Sequence, residues 1–345
     1  MMSGFLTFMD RYRDEAACIA ALAELRWPNG FICAGCAGRL AYQLAARPRV
    51  FECADCGRQH SVTAVTVLHR TRTPLRKWFA AAWLIGQDKR GVSALFLARE
   101  LALRYDTAWL MAHKLRHGLS EDPARPLRGF LEADETFIGG RGDPTSSGRR
   151  TAHPDKSLVV AAVEKVPAPK NKKGKHGHAV KRQHGFFAGN ARIAVLPAAT
   201  GAELGAFLKA NVVAGSHLLT DGFAGYRGGD AGLDEHLKHT PVVQGEGANA
   251  GEFFPIIHTL FSNIKAWLVG THHGVSAKHL PRYLREWCYR FNRRNLPDRL
   301  DGYLIRRAVE RATITYDQLK TGNLLGGANR VRRLPAAVAQ PALAG

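Results

Sequence analysis

The order of apolar and polar residues along the N-terminal third predicts helices on either side of short β-prone pieces. Residues 14–26, DEAACIAALAELR, have helical spacing with acidic residues in the first turn. Helical spacing returns after the cap-like pair Thr73–Pro74. Residues 93–119 predict two helices, and Asp106 is a candidate cap for the second of them.

The periodicity changes beyond residues 120–128, which resemble a linker. Helices are predicted around residues 255–269 and 278–291, and another interrupts the strands at ATGAELGAFLKANV. Strands with helices between and after them predict an α/β or α+β domain with a mixed sheet. The predicted strands are bounded by Gly, Pro or Asn and lie in GFLEADETFIGG, SLVVAAVEKV, GFFAGNARIAVLP and SHLLTDG.

The composition indicates a globular protein with an anionic partner. The chain has 345 residues, of which 46% are hydrophobic and 23% charged, and its formal net charge is +20. Such an excess favours nucleic acid or an anionic membrane as the partner. No apolar run approaches the roughly 18–20 residues of a spanning helix, and the start lacks the pattern of a signal peptide. We therefore expect a nucleic-acid-binding protein of the cytoplasm, associated with the nucleoid.

Two further segments have biased composition. The basic stretch around residues 170–184 contains no acidic residue and is predicted to be a mobile loop, either a target-DNA contact or a disordered insertion. The Ala/Pro/Arg-rich tail after about residue 326 is predicted to be disordered. The predicted division of the chain is 1–70 (N-terminal helix and cysteine pairs), 71–122 (helices), 123–326 (strands and helices) and 327–345 (tail).

Four cysteines predict a structural zinc site. They form two CxxC pairs, Cys33/Cys36 and Cys53/Cys56, with 16 residues between the pairs. Each pair can present two thiolates to one tetrahedral ion, as in a zinc ribbon, and four thiolates close the coordination shell. The ion is therefore expected to be structural and to take no part in catalysis.

The helix pair in residues 93–119 is a candidate helix-turn-helix. If its second helix exposes Lys114 and Arg116, these cations could contact DNA in the major groove. The alternative is a pair of core helices with a basic surface. The neighbouring zinc ribbon and the net charge favour DNA docking.

Candidate catalytic groups lie on two predicted strands and one predicted helix. Asp134 in LEADETF and Asp221 in LLTDG could together hold two divalent ions for phosphodiester chemistry. Either aspartate alone could equally be a turn or cap residue. His258 and Lys265 lie seven positions apart on the helix after Pro255, so both project from one face.

The chain resembles bacterial insertion-sequence transposases of the ISXO-like group, whose catalytic domain has the RNase H-like fold. The resemblance extends from about residue 5 to 295. It is carried by LRWPNG before the first CxxC, HSVTAVTVLHRTRTPLRKWF after the second, EADETFIGG, TDGFAGY, and HTLFSNIKAWLVGTHHGVSAKHLPRYLREWCYRFNRR.

The resemblance implies a metal site made of Asp134, Asp221 and His258. Most transposases of this class have a glutamate where His258 stands, and a lysine or arginine seven residues later, here Lys265. Lys265 would hold a phosphate of the transposon end. An imidazole ligand should make Mn²⁺ at least as acceptable as Mg²⁺. Alternatively, His258 is a surface residue of a decayed relative, or the third carboxylate is Glu246, Glu252 or Glu286.

A second carboxylate and a basic motif are further candidates for the site. Glu135 should point to the opposite side of the strand from Asp134 and is a weak candidate ligand. The motif YRFNRR should contact the DNA backbone, or else forms a solvated basic face, through Arg290, Asn292, Arg293 and Arg294.

The resemblance implies an enzyme that binds terminal inverted repeats as double-stranded DNA and catalyses metal-dependent strand cleavage and strand transfer. Two ends must be cut, so it also implies a homodimer or a larger assembly on DNA. The alternatives are a sequence-specific DNA-binding protein that has lost catalysis and a nuclease that cleaves without joining strands.

Overall fold

The computed structural model describes most of the chain, and no helix within the described ranges is long and apolar enough to cross a membrane. In its first half, helices precede and follow a small sheet in the chain. Its second half is a larger mixed sheet covered by helices. The basic segment 170–184 and the tail from residue 322 lie outside the described residues. The described residues are 4–87, 90–119, 125–139, 156–168, 185–226, 233, 236–242, 253–296 and 300–321.

The N-terminal part consists of two helices and a three-stranded antiparallel sheet. The predicted helix at residues 14–26 is present, and Asp14 caps it, because its Oδ1 accepts a hydrogen bond of 2.8 Å from the Ala17 amide. The elements are α1 (Phe5–Arg11), α2 (Glu15–Arg26), β1 (Ala41–Gln43), β2 (Val50–Cys53) and β3 (Gln59–Ser61).

Three helices follow, α3 (Leu75–Gln87), α4 (Ala94–Glu100) and α5 (Tyr105–Gly118). The chain breaks between α4 and α5 where predicted, and Ala102 adopts a left-handed backbone with φ of 44°. The predicted cap is wrong by two residues, since Arg104 occupies the cap position and Asp106 lies in the first turn. A carboxylate in the first turn still interacts favourably with the helix dipole, so sequence pattern alone separates these positions poorly.

The second half is built on a five-stranded sheet with the order β6-β5-β4-β7-β8. Strands β4, β5 and β6 are antiparallel neighbours, whereas β7 runs parallel to β4 and β8 parallel to β7. This mixed sheet confirms the predicted fold class and is consistent with an RNase H-like domain. The strands are β4 (Phe130–Ile138), β5 (Ser157–Pro167), β6 (Phe186–Leu196), β7 (His217–Asp221) and β8 (Lys238–Val242).

Strand β8 is the one strand of this sheet that the pattern did not predict. Its sequence, KHTPV, has little apolar alternation and includes Pro241. A proline cannot donate to a central ladder but is tolerated in an edge strand, and β8 lies at the edge of the sheet.

Helices cover both faces of the large sheet. Helix α6 (Gly201–Asn211) packs on one face with Leu131, Ala133 and the other side chains of that side. Helices α7 (Pro255–His272) and α8 (Leu280–Asn292) pack on the opposite face, in agreement with their predicted positions. Alternate residues of β4 therefore face different helices.

The last described helices return to the N-terminal half. They are α9 (Leu300–Glu310) and α10 (Tyr316–Thr321), although both lie within residues 123–326, which the sequence predicts to be the catalytic domain. The apolar face of α9 joins the core formed by α2, α3, α4 and α5, and the Val67 amide donates to the Ala308 carbonyl over 3.0 Å. Helix α9 therefore completes the helical core, which its place in the chain could not show.

A buried cluster of charges joins α5 to α8. Glu286 Oε2 lies 2.6 Å from Arg116 Nε, and both side chains are at most 1% exposed. Glu286 Oε1 lies 3.4 Å from Arg290 Nε, and the Arg116 guanidinium stacks 4.2 Å from the centre of the Tyr283 ring. Burial alone would raise the pKa of Glu286, but Arg116 and Arg290 hold it below its ordinary value.

We expect Glu286→Ala to destabilise the protein by about 3–5 kcal/mol, because it leaves the buried Arg116 without its counter-charge. The measurement is urea unfolding followed by circular dichroism. The control is Glu310→Ala, which breaks the more exposed Arg307–Glu310 pair of 3.4 Å and should cost less than about 1 kcal/mol. Equal small losses in both variants would show that the cluster does not hold α5 to α8.

Candidate active site and zinc centre

Alternate side chains of β4, the central strand of the large sheet, meet α7 on one face of that sheet. Glu132 Oε2 accepts hydrogen bonds from the Ile256 and Ile257 amides at 3.1 and 3.0 Å. Two residues further along the strand, Asp134 Oδ2 lies 3.9 Å from His258 Nδ1.

Thr136 extends this series by another two residues. Its Oγ1 accepts a hydrogen bond of 2.8 Å from Lys265 Nζ. His258 and Lys265 therefore do project from one face of α7, as their spacing predicts, and that face lies against β4.

The second aspartate lies at the carboxyl end of β7, on the strand next to β4. The parallel register pairs Phe130 with His217 and Glu132 with Leu219. The same offset, extended by two residues along each strand, places Asp134 level with Asp221. Asp221 Oδ1 also accepts a hydrogen bond of 3.0 Å from the Phe223 amide, so this residue closes the turn as well.

The electrostatic surroundings of His258 favour a neutral imidazole. Partial burial lowers its pKa from the ordinary value, and this outweighs the carboxylates of Glu132 and Asp221, which raise it; the Lys265 cation lowers it further. A neutral imidazole can bind a metal ion without first losing a proton.

The other carboxylate of the DET sequence faces away from α7. Glu135 Oε2 accepts a hydrogen bond of 2.8 Å from the hydroxyl of the buried Tyr226, on the α6 side of the sheet. Burial, reinforced by Glu135, raises the pKa of Tyr226 well above its ordinary value. The contact with Tyr226 confirms that Glu135 points to the opposite side of the strand from Asp134, as strand alternation predicts.

The four cysteine side chains come together at the end of β2, whose last residue is Cys53. Their sulfur atoms all lie within 4.8 Å of one another, and the Cys33–Cys56 and Cys36–Cys53 pairs are 3.6 Å apart. Tetrahedral zinc with Zn–S bonds of about 2.3 Å places its sulfur ligands about 3.8 Å apart, so the cluster fits the ion.

Two backbone amides donate hydrogen bonds to the thiolates of the first CxxC pair, Cys33 and Cys36. Gly35 N donates to Cys33 Sγ over 3.3 Å, and Gly38 N donates to Cys36 Sγ over 3.4 Å. His60 Nε2 lies 3.3 Å from Cys33 Sγ, a contact that the sequence pattern did not indicate. Such outer contacts orient metal ligands, and this arrangement supports one structural Zn²⁺.

Two models of known protein families match the regions that contain these residues. The ISXO2-like transposase domain matches residues 126–292, which contain Asp134, Asp221 and His258. The transposase zinc-ribbon domain matches residues 13–59, which contain the four cysteines. The chain thus carries an ISXO2-like transposase domain behind a transposase zinc ribbon. It is also 26% identical over 280 residues to "Uncharacterized protein in transposable element ISH50" of Halobacterium salinarum, covering 78% of this chain and 88% of that protein.

Among the described residues, only the cysteines form a group of three or more potential ligands that converge within 4.8 Å. The ligand atoms of Asp134, Asp221 and His258 therefore do not all lie within that distance of one another. Glu286, weighed as an alternative ligand, is instead enclosed by Arg116 and Arg290. Glu246 and Glu252 lie outside the described residues.

The expectation that Lys114, Arg116 and Arg290 face DNA is wrong for the described structure. Their exposed fractions are 9%, 0% and 8%. Helices α8 and α9 cover the C-terminal half of α5, which carries Lys114 and Arg116. Arg290, on α8, lies against Glu286 and the Trp267 ring of α7. Helical periodicity shows which residues share a face, but it cannot show whether another element covers that face.

The remaining residues of YRFNRR divide into inward and outward positions. Asn292 binds the β6 backbone, since its Oδ1 accepts from the Ala191 amide at 2.7 Å and its Nδ2 donates to the Ala191 carbonyl at 3.0 Å. Arg293 is half-buried with its guanidinium 3.8 Å from the centre of the Tyr289 ring. Arg294 is exposed and donates to the Gly189 carbonyl over 3.2 Å.

The sequence pattern did not identify two side chains of β4 that contact α7, Glu132 and Thr136. Strand alternation was the available signal, because both lie two residues from Asp134 and must share its face. Their partners on α7 come from residues more than 120 positions away and could not be inferred from local pattern.

We expect Cys53→Ser to lose the zinc ion and to unfold the ribbon, because the remaining thiolates no longer close the tetrahedral shell. Metal content by mass spectrometry should fall from about one zinc per chain towards zero. The control is Cys18→Ser, a buried cysteine of α2 outside the cluster, which should keep its zinc whatever its effect on stability. Equal zinc content in both variants would contradict the site.

Proposed function

We propose that the protein is the DNA transposase of an insertion sequence, which binds terminal inverted repeats and catalyses metal-dependent strand cleavage and strand transfer. The observation that carries this proposal is the arrangement of carboxylates and His258 between β4 and α7. There Asp134 lies 3.9 Å from His258 and level with Asp221, inside the matched transposase domain.

Asp134, Asp221 and His258 would hold two divalent cations, Mg²⁺ or Mn²⁺. An octahedral ion with ligand distances of about 2.1 Å has neighbouring ligands about 3.0 Å apart and opposite ligands about 4.2 Å apart. The Asp134–His258 separation of 3.9 Å falls within that range. When bound, such ions activate the attacking oxygen and stabilise the leaving oxygen in phosphodiester chemistry.

Lys265 would hold a phosphate of the transposon end. Its ammonium group lies beside Thr136, two residues along β4 from Asp134, so a phosphate bound there would be close to the carboxylate. Arg293 and Arg294, at the end of α8, are proposed to contact the DNA backbone nearby. The formal net charge of +20 would attract double-stranded DNA over a longer range.

The assembly and its place in the cell follow from the same proposal. Two ends must be cut and joined to one target, so we propose a homodimer or a higher oligomer on DNA. A protein acting on the bacterial chromosome would work in the cytoplasm at the nucleoid.

One observation favours a second candidate. His258 stands where most transposases of this class have a glutamate, and a neutral imidazole adds no negative charge to hold the cations. The chain could therefore be a transposase-derived DNA-binding protein without catalysis, which would bind the repeats and never cut them.

We expect Asp134→Ala to lower strand cleavage by at least about 10³-fold and His258→Ala by at least about 100-fold, since each removes a proposed ligand. The measurement uses a labelled duplex carrying the element's own end, in Mg²⁺ and in Mn²⁺, with strand-transfer products scored separately.

The control for these variants is His273→Asn, an exposed histidine at the opposite end of α7. Its backbone is left-handed, with φ of 52°, a conformation that asparagine tolerates. If His258→Ala cuts as well as this control, His258 is not a ligand. If the unchanged protein binds the end and never cuts, the DNA-binding alternative replaces the enzyme.

We expect Lys265→Met to weaken binding to the element end and to reduce the salt dependence of binding by about one phosphate contact. Fluorescence anisotropy at several salt concentrations measures this slope. Thr136→Val is the matched control, because it removes the hydrogen-bond acceptor and keeps the lysine charge. A salt slope unchanged by Lys265→Met would show that Lys265 does not contact DNA.

A further inference from the structure

Glu132 is a fully buried carboxylate next to the proposed metal site, and its exposed fraction is 0%. A buried carboxylate is costly unless charge and hydrogen bonds compensate it. Here Lys165 Nζ, from β5, lies 3.1 Å from Glu132 Oε1. The other oxygen, Oε2, accepts the two amide hydrogen bonds from Ile256 and Ile257.

Those two amides belong to the first turn of α7, where a helix has no internal acceptors. The residue at the cap position, Phe254, provides no side-chain hydrogen bond. Glu132 therefore does from the neighbouring strand what a capping side chain does locally. Its negative charge also lies at the positive end of the helix dipole.

The amide that Glu132 binds at Ile257 directly precedes His258. Glu132 and Asp134 are two residues apart on the same face of β4, so one rigid strand holds both the start of the helix and the carboxylate that His258 faces. A shift of the first turn of α7 would therefore change the Asp134–His258 separation directly.

We propose that Glu132, paired with Lys165, is a positioning residue that clamps the first turn of α7 to β4 and so aims His258 at the metal site. This inference rests on the proposed function for the metal-binding role of His258. The clamp itself does not, because it consists of contacts within the chain.

Glu164 provides a matched control for Glu132. It is the residue before Lys165 on β5, and its carboxylate also accepts two backbone amide hydrogen bonds, from Arg128 at 3.1 Å and Asn190 at 2.8 Å. Neither amide belongs to α7. Glu132→Gln and Glu164→Gln thus make the same chemical change at two amide-binding carboxylates, of which only one touches α7.

The first measurement is hydrogen exchange of the backbone amides. It is made without Mg²⁺ or Mn²⁺, so that the proposed catalytic site is metal-free, while zinc stays bound in the ribbon. In Glu132→Gln we expect the amides of Ile256 and Ile257 to exchange at least about tenfold faster, as a weakened hydrogen bond allows. Glu164→Gln should leave them unchanged. If Glu132→Gln does not fold, Glu132→Asp carries the same test, since it keeps the charge and draws the carboxylate back by one methylene.

The second measurement is the affinity for Mn²⁺, determined by electron paramagnetic resonance. Mn²⁺ binding that persists in Asp134→Ala is subtracted, because it does not come from the proposed site. We expect Glu132→Gln to weaken Mn²⁺ binding by about tenfold or more, the usual effect of losing a residue that orients a ligand. In a His258→Ala background the same substitution should add no further loss. A role in overall stability alone would not produce this dependence on His258.

The outcomes separate the inference from the proposed function. Unchanged exchange at Ile256 and Ile257, or an undiminished loss of Mn²⁺ affinity in the His258→Ala background, would overturn the positioning role and leave the transposase proposal standing. Absence of any Asp134-dependent Mn²⁺ binding in the unchanged protein would overturn the metal site, and the positioning role of Glu132 with it.

Discussion

The parallel pairing of β4 with β7 is the constraint on which the arrangement of the second half depends. It brings the carboxyl ends of two strands together although Asp134 and Asp221 are 87 positions apart in the chain. Because successive side chains of β4 point to opposite faces of the sheet, its two faces contact different helices. One face carries Glu132, Asp134 and Thr136 towards α7, and the other carries Leu131 and Ala133 into the core under α6.

Helix α8 connects this sheet to the N-terminal half by apolar contacts on both sides and by polar contacts that fix its position. On one side Asn292 and Cys288 bind the backbone of Ala191 in β6. On the other side Glu286 meets Arg116 of α5 in the buried charge cluster. A buried ion pair tolerates little displacement, because a separated charge would remain in a low-dielectric interior. The helical core therefore has a defined attachment to the domain that contains the proposed active site.

This attachment changes the interpretation of the helical region. Helices α4 and α5 are separated by a sharp turn, as the sequence predicts, but the basic residues of α5 take part in the interface with α8 instead of facing solvent. Exposed cations near the two helices include Arg99 at the end of α4 and Arg104 at the start of α5. Any DNA contact made by this region would thus involve the N-terminal end of α5 and not its buried C-terminal half.

The sequence by itself determined the zinc cluster, four of the five strands of the large sheet, the principal helices and the pairing of His258 with Lys265 on one face of α7. These depend on local spacing, which hydrophobic period and CxxC motifs report directly. Only the tertiary structure decided that Arg116, Arg290 and Glu286 enclose one another, that α9 returns to the N-terminal core, and that Glu132 holds the start of α7. Burial and pairing depend on which distant element covers a face, and a one-dimensional pattern does not contain that information.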